Sequence, residues 1–367
     1  MLKWEKLFSS QESSPEVSVI VPAFNGKRTI LQTLSSIINQ EYPSLQLIVV
    51  DDGSKDSTAS FVKDFIGENG FSSKFNMVRH ETNLGLSRSL NDGIEMAIGK
   101  FVLILHQDCE LAIENWIQRA VALAKNEVAV VTGYYGISDM KDDSFVKRSF
   151  GVLRKQFHSR SKCSCEEATF SEGKCDLYRK NLLAEIGGFP TNYRIAGEDL
   201  IVSYKLRSLG YSIIKCYDLP VIQRFGGTAE SFRGNLGKEF LFGKVMGGIF
   251  SEFKSFIFKG VKPNSQNYSS SRSLHRSSQP IFVFTLLMAL LSTLFTAWSL
   301  YLVVGLLFFR FVYYFLKVFS ELKIYNNPVN HPYPESIVTS VIGILSDFAY
   351  SFGFFYGLLL YAIKKRL

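Results

Sequence analysis

From Val17 onward, short apolar runs alternate with segments of helical period, which is the pattern of a parallel sheet with crossover helices. Residues 17–23 read as a first strand, buried on both faces by its Val and Ile content. A helix over residues 27–40 follows, stopped by Tyr42-Pro43. A second strand is expected at 45–50, with Ser54 or Asp56 capping a helix through Phe65. A third strand at 76–80, a helix at 86–98 and a fourth strand at 100–105 complete four β-α repeats, the layout of a doubly wound, nucleotide-binding half. Beyond it the pattern predicts a helix at 113–125, a strand at 128–133, a surface helix near 144–158 and a short helix at 182–186 stopped by Gly187-Gly188. An amphipathic helix at 199–209, a strand at 212–217 and glycine-containing helices between 226 and 259 follow.

The pattern then changes. Residues 281–309 contain no charged side chain, and residues 337–363 contain only Asp347. The first expectation is therefore a soluble domain followed by a membrane region. The divisions read as an N-terminal extension at 1–15, an α/β domain at 16–260, a Ser-rich basic linker at 261–279 and a membrane region at 280–367. Apolar helices are expected at about 281–299, 300–319 and 337–363. Trp298 and Tyr301 mark the turn of a hairpin formed by the first two, which are expected to be the full spans; Asp347 with Gly343, Gly353 and Gly357 suits an interfacial or re-entrant last helix, with a third span as the alternative.

Composition adjusts this picture at two points. The net charge of +8, from 41 Lys and Arg against 33 Asp and Glu, is uneven, for Lys254, Lys259, Lys262, Arg272 and Arg276 precede the apolar region with no acidic residue among them. That is a cytoplasmic juxtamembrane collar rather than a nucleic-acid face, so no nucleic-acid partner is expected. Residues 1–15 carry Lys3, Glu5, Lys6 and Glu12 and no apolar stretch, so a secretory signal is not expected and the α/β domain is expected in the cytoplasm as part of a multi-pass membrane protein. Five cysteines, at 109, 163, 165, 175 and 216, form neither a disulfide framework nor a zinc pattern and read as reduced thiols.

An open α/β sheet binds ligands at its strand ends. Those positions hold Pro22-Ala23-Phe24-Asn25-Gly26, Asp51-Asp52-Gly53-Ser54 and His106-Gln107-Asp108-Cys109-Glu110. The chain lacks both the dinucleotide Gly-x-Gly-x-x-Gly after the first strand and a Walker loop, so a diphosphate needs a divalent metal and basic side chains, for which Asp108 and Arg88 are the candidates.

Five segments, in order, resemble one family: residues 17–25 (VSVIVPAFN), 49–58 (VVDDGSKDST), 83–93 (NLGLSRSLNDG), 103–108 (LILHQD) and 197–200 (GEDL). They are similar to glycosyltransferase family 2 enzymes with the GT-A (Rossmann-like) fold. The resemblance implies a membrane-anchored inverting glycosyltransferase acting on a UDP- or GDP-linked sugar. Its acceptor would be a polyprenyl or dolichyl phosphate, a lipid-linked glycan or another glycan. By position it implies that Pro22, Ala23, Asn25, Asp51 and Asp52 hold the nucleoside, with Arg88 and Gln107 also in the donor site. Asp108 would bind Mn2+ or Mg2+ and the diphosphate. His106 replaces the family's first metal-motif Asp and stands either as a neutral nitrogen ligand or as a pocket lining. Asp199 is implied as general base with Glu198 supporting it, although both also suit a helix N-terminus. Arg224 stands where relatives carry a phosphate contact, and the missing Gln-x-x-Arg-Trp points to single sugar transfer. The alternative left by His106 is a GT-A-like membrane scaffold without catalysis.

Overall fold

The computed structural model of the 367-residue chain describes residues 16–42, 44–70, 74–137, 145–154, 164–171, 173–192, 197–224, 231–252, 268–269, 271–294, 296, 298–324 and 332–364. The N-terminal extension 1–15, residues 253–267 of the basic collar and linker, and Lys365 and Arg366 lie outside them. The chain forms two compact units. The first comprises residues 1–138, 163–226 and 260–269; the second comprises 139–162, 227–259 and 270–367.

The first unit is built on a ten-stranded mixed sheet. Strands β1 (Val17–Ala23), β2 (Leu45–Asp51), β3 (Phe75–Arg79) and β4 (Phe101–Leu105) are mutually parallel in the order β3-β2-β1-β4. Every residue of β1, β2 and β4 is buried, as their continuous apolar runs require of strands covered on both faces. Helices α1 (Ile30–Ile38), α2 (Thr58–Glu68) and α3 (Leu86–Met96) make the crossovers. Because β2 and β4 lie on opposite sides of β1, the carboxyl ends of β1 and β4 flank the crevice where such sheets bind ligands.

The sheet continues through β5 (Cys109–Leu111), α4 (Trp116–Leu123), β6 (Val128–Ile137), β7 (Cys165–Ala168), β8 (Cys175–Arg179), α6 (Lys180–Glu185), α7 (Glu198–Ser208), β9 (Ser212–Gln223) and β10 (Tyr268–Ser269). Strand β8 runs antiparallel between β4 and β6, and β7 runs antiparallel to β9. Two expectations change. The strand expected at 212–217 extends to Gln223 because β6, β7 and β5 each give it a partner. The polar linker is not uniformly loop: Tyr268 and Ser269 pair with Glu167 and Ala168 at the sheet edge, and the next helix begins at Ser271.

The second unit contains α5 (Phe145–Arg154), α8 (Phe232–Glu252), α9 (Ser271–Ser292), α10 (Ser299–Ile324) and α11 (Pro332–Lys364). Placing α5 and α8 here corrects the boundary expected at residue 260. The residues of α5 pack with Tyr314, Val318, Leu322 and Ile342. Helix α8 meets α11 backbone to backbone: a Cβ on Gly243 would overlap the Tyr350 carbonyl oxygen, and one on Gly353 would overlap that of Phe240.

Two helical stretches, Ser299–Ser320 and Pro334–Ile363, are long and apolar enough to cross a bilayer, whereas Ser278–Ser292 is a shorter apolar stretch. The long stretches are thus the second and third of the three expected, not the first two. The last helix is a continuous 33 residues, about 50 Å at the α-helical rise. Its polarity is inverted relative to that of a soluble helix. Ser336, Thr339, Ser340, Ser346, Asp347 and Ser351 are buried, while Ile337, Val338, Val341, Leu345, Phe352, Tyr356 and Leu359 are exposed. Asp347 takes a two-pronged bond from Arg310 (Nε to Oδ2 2.7 Å, Nη2 to Oδ1 3.1 Å) and a third from the Tyr314 hydroxyl at 2.6 Å. Lys317 donates to the Leu153 carbonyl at 2.8 Å. With charges paired inward and hydrocarbon outward, this unit suits association with a membrane.

Candidate active site

Three loops converge at the carboxyl ends of β1, β2 and β4. The first two are joined by backbone-to-side-chain bonds. Asn25, in the left-handed region at φ 48°, gives its N–H to Ser54 Oγ (2.9 Å) and accepts the Lys55 N–H at its own Oδ1 (2.9 Å). Gly26 gives its N–H to Thr58 Oγ1 at 2.8 Å, and the Asp52 N–H reaches the Ala23 carbonyl at 2.7 Å. Pro22 and Ala23 are buried in β1, opposite Val50 and Asp51. The pocket wall expected to face a nucleoside is therefore preorganised before any ligand arrives.

Asp51 and Asp52 are adjacent, but their side chains have different partners. Asp51 Oδ1 accepts the Ser54 N–H at 3.0 Å, and Oδ2 lies 3.1 Å from Arg79 Nε. Arg79, which no sequence motif marks, also donates to the Ser54 carbonyl at 3.0 Å and is largely exposed beside this loop. Asp52 instead accepts the backbone N–H groups of Leu84 (2.7 Å) and Gly85 (2.9 Å) and meets His80 Nδ1 at 2.7 Å. His80 Nε2 contacts Asp92 at 2.9 Å, and Asp92 pairs with Arg88 Nε at 2.9 Å. This buried Asp52–His80–Asp92 chain shapes the turn into α3 and holds Arg88, whose side chain is about half exposed. Expected as a nucleoside contact, Asp52 is a loop-organising residue because all these partners approach it from within the protein.

Gln107 differs from expectation in a similar way. Its Oε1 accepts the Phe24 N–H at 3.0 Å and its Nε2 donates to the Phe24 carbonyl at 2.9 Å, so the amide clips the β1 loop to the β4 loop. Asp108 lies next to it, with Oδ2 accepting from Gln223 Nε2 at 3.2 Å and its carbonyl accepting the Arg224 N–H at 2.7 Å. The Arg224 guanidinium is paired with Glu110, so it is not poised as the phosphate contact its position suggested. Cys109 is inert, its thiol pushed well above the usual range by burial and by Asp108.

Among the described residues, no group of three or more His, Cys, Asp and Glu side chains forms a self-contained metal cage. Two donors are nevertheless present. His106 Nε2 is buried with no hydrogen-bond partner among the described residues. Burial lowers its pKa to about 4 against the opposing pull of Asp108, so the imidazole is neutral. A neutral nitrogen beside a carboxylate fits a divalent ion that takes its other ligands from a diphosphate and water.

The opposite wall is built from β8 and α7. Asp176 is fully buried on β8; its Oδ2 accepts the Gly173 N–H at 2.7 Å and the Tyr178 hydroxyl at 3.2 Å. The Ser171 N–H reaches Ser203 Oγ on α7 at 3.0 Å. Gly173 has φ 77°, and a Cβ there would stand 3.0 Å from Asp199 Oδ2. The neighbouring Lys174 carbonyl accepts the His106 N–H at 2.9 Å. One turn, residues 173–174, thus touches both the strand end bearing Asp108 and the carboxylate of Asp199.

Glu198 and Asp199 occupy the first turn of α7, where the helix dipole favours negative charge. Asp199 Oδ1 accepts the Leu200 N–H at 2.8 Å. Glu198 is buried, and burial followed by the charge of Asp199 raises its pKa to about 8. The two carboxyls are therefore distinguished by environment, with Glu198 holding its proton at neutral pH. The structure brings Asp108, His106 and Asp199 around one turn and sets Asn25, Asp51 and Arg79 along the wall. Neither period nor motif marks Arg79 and Gln223 in the sequence; only the fold brings them to the site.

The chain is similar in sequence and in fold to known proteins. Poly-beta-1,6-N-acetyl-D-glucosamine synthase of Staphylococcus epidermidis is 27% identical over 216 residues, covering 56% of this chain and 49% of that protein. UDP-Glc:alpha-D-GlcNAc-diphosphoundecaprenol beta-1,3-glucosyltransferase WfgD of Escherichia coli is 30% identical over 122 residues, covering 33% and 46%. The chain thus spans less than half the length of each of these two relatives. In fold it resembles the mannosyltransferase PcManGT of Pyrobaculum calidifontis, solved with GDP-Man and Mn2+, at a TM-score of 0.55 and 20% identity over 92% of this chain and 87% of that one. Residues 18–187 match Glycosyl transferase family 2, and the chain carries a glycosyl transferase family 2 domain on a GT-A fold.

Proposed function

We propose that the protein is a membrane-bound inverting glycosyltransferase that moves one sugar from a UDP- or GDP-linked donor to a lipid-linked acceptor at the cytoplasmic face. The observation that carries this reading is the 173–174 turn, which sets Asp199 against Gly173 and Asp108's strand end against Lys174. Asp199 takes the proton of an acceptor hydroxyl as that oxygen attacks the anomeric carbon, and the nucleoside diphosphate leaves from the opposite face. Glu198, which holds its proton at neutral pH, places no competing negative charge beside Asp199. Asp51 and Asn25 border the nucleoside, with Pro22 and Ala23 beneath, and Arg88 lies toward the phosphates. Asp108 and His106 would hold Mn2+ or Mg2+, which supplies charge neutralisation for the departing diphosphate.

The acceptor class rests on the second unit and on the lipid-linked substrate that the name of WfgD carries. Anchoring confines the site to the plane in which a polyprenyl or dolichyl carrier, or a glycan built on one, resides. Two membrane crossings by α10 and α11 keep both flanks of the pair on one side, in keeping with the basic residues before and after them.

The test is nucleoside diphosphate release by lipid-reconstituted protein offered UDP- and GDP-sugars, manganese or magnesium, and lipid-linked glycans. Asp199→Asn is expected to lower turnover by about 100-fold or more, and Glu198→Gln to retain most of it. No release with any pair, or an active Asp199→Asn, refutes the assignment.

A further inference from the structure

Two thiols outside the transfer site form a cross-strand pair. Cys165 on β7 lies directly opposite Cys216 on the antiparallel strand β9. The adjacent pair is the hydrogen-bonded one, because the Tyr217 N–H reaches the Ser164 carbonyl at 2.7 Å. Cys165 and Cys216 therefore occupy a non-hydrogen-bonded position, where opposed Cα atoms approach to about 4.5 Å and side chains lie closest. That spacing falls inside the range a disulfide spans, about 4.4–6.8 Å.

We propose that Cys165 and Cys216 are a reversible redox modification site that closes to a disulfide when the protein meets an oxidised low-molecular-weight thiol. This site is separate from sugar transfer. The two thiols face each other across the strands: Cys216 Sγ donates to the Ser164 carbonyl at 3.4 Å, and the neighbouring Cys216 thiol, set against burial, lowers the Cys165 pKa to about 7 while that of Cys216 is raised. Cys165 is half-buried and Cys216 is buried beneath it, so the more acidic sulfur is also the more accessible one. The Cys165 thiolate attacks a sulfur of glutathione disulfide and releases one glutathione thiolate. Cys216 then yields its proton and attacks the Cys165 sulfur, releasing the second glutathione. Two protein thiols are oxidised and one glutathione disulfide is reduced to two thiols. Cys109 and Cys175 provide an internal contrast, since both are fully buried and burial raises each far above the usual thiol range.

The experiment uses the full chain in detergent, equilibrated across a series of reduced to oxidised glutathione, acid-quenched, alkylated and mapped by peptide mass spectrometry. The expected result is loss of two alkylatable thiols per chain, a linked peptide joining Cys165 to Cys216, its reversal by dithiothreitol, and its persistence in Cys163→Ser. Full alkylation of both cysteines at the most oxidising ratio overturns the proposal. So does a link from Cys165 to Cys163, or a stable glutathione adduct in place of the internal bond.

Discussion

Replacing Glu198 with glutamine isolates the consequence of burying one carboxyl beside another. Burial, then the charge of Asp199, raises the Glu198 pKa from its ordinary 4.5 to about 8. An acid whose folded pKa is raised contributes stability that is fully present below the unfolded value and is lost as pH rises toward the folded one. Each unit of separation corresponds to about 1.4 kcal/mol, so stability should fall by about 3–4 kcal/mol between pH 5 and pH 8 from this group. That is a large share of the about 5–15 kcal/mol that holds a domain folded. Glutamine keeps the shape and carries no proton to lose. Unfolding free energies can be followed by the fluorescence of Trp116, which is fully buried in the core of the sheet unit. The wild type and Glu198→Gln should diverge as pH rises, with the variant the more stable at pH 8, and its turnover should persist above the pH at which the wild type declines. Parallel stability curves from pH 5 to pH 8 would refute the reasoning.

Three further outcomes follow from named contacts. His80→Gln removes the group between Asp52 and Asp92 and should destabilise the protein by about 3 kcal/mol while raising the donor KM, read by thermal unfolding and initial rates. Gly173→Ala forces a Cβ toward Asp199 at a backbone angle that costs about 1–2 kcal/mol, so kcat should fall with little change in donor KM. Asp347→Leu leaves Arg310 buried without its carboxylate and should lower the melting temperature in detergent, whereas the double variant with Arg310→Met should recover much of the loss.

Strands β1, β2 and β4 were legible because continuous apolar runs bounded by turn residues have few other uses, and the start of α7 was legible from its acidic first turn. What escaped the sequence depends on pairing and on facing. Asp51 and Asp52 look alike as letters, but consecutive residues at a strand end point to opposite sides, so one meets Arg79 and the other His80. Gln107 is polar beside Asp108 and read as a ligand contact, whereas its amide matches the Phe24 backbone. Helix α8 carries Lys238, Glu239 and Lys244 and so read as part of the soluble domain, yet Gly243 and Gly247 fit it against the backbone of α11. Asp347 suggested an interfacial or re-entrant last helix, but a carboxylate paired with Arg310 is accommodated within one continuous apolar helix. Strand β10, only two residues long, has no period to detect.

The chain passes between its two units five times, at residues 138/139, 162/163, 226/227, 259/260 and 269/270. No single cut can therefore separate the sheet unit from the helical one. Ending the protein before α9 would remove Tyr268 and Ser269 from the sheet edge if made early. Even if made late, it would leave α5 and α8 with the faces that Tyr314, Val318, Gly353 and Gly357 had covered now open to water. Ribosomal synthesis meets the same constraint: α5 and α8 emerge well before the helices that shelter them, and wait for the C-terminal part of the polypeptide to arrive.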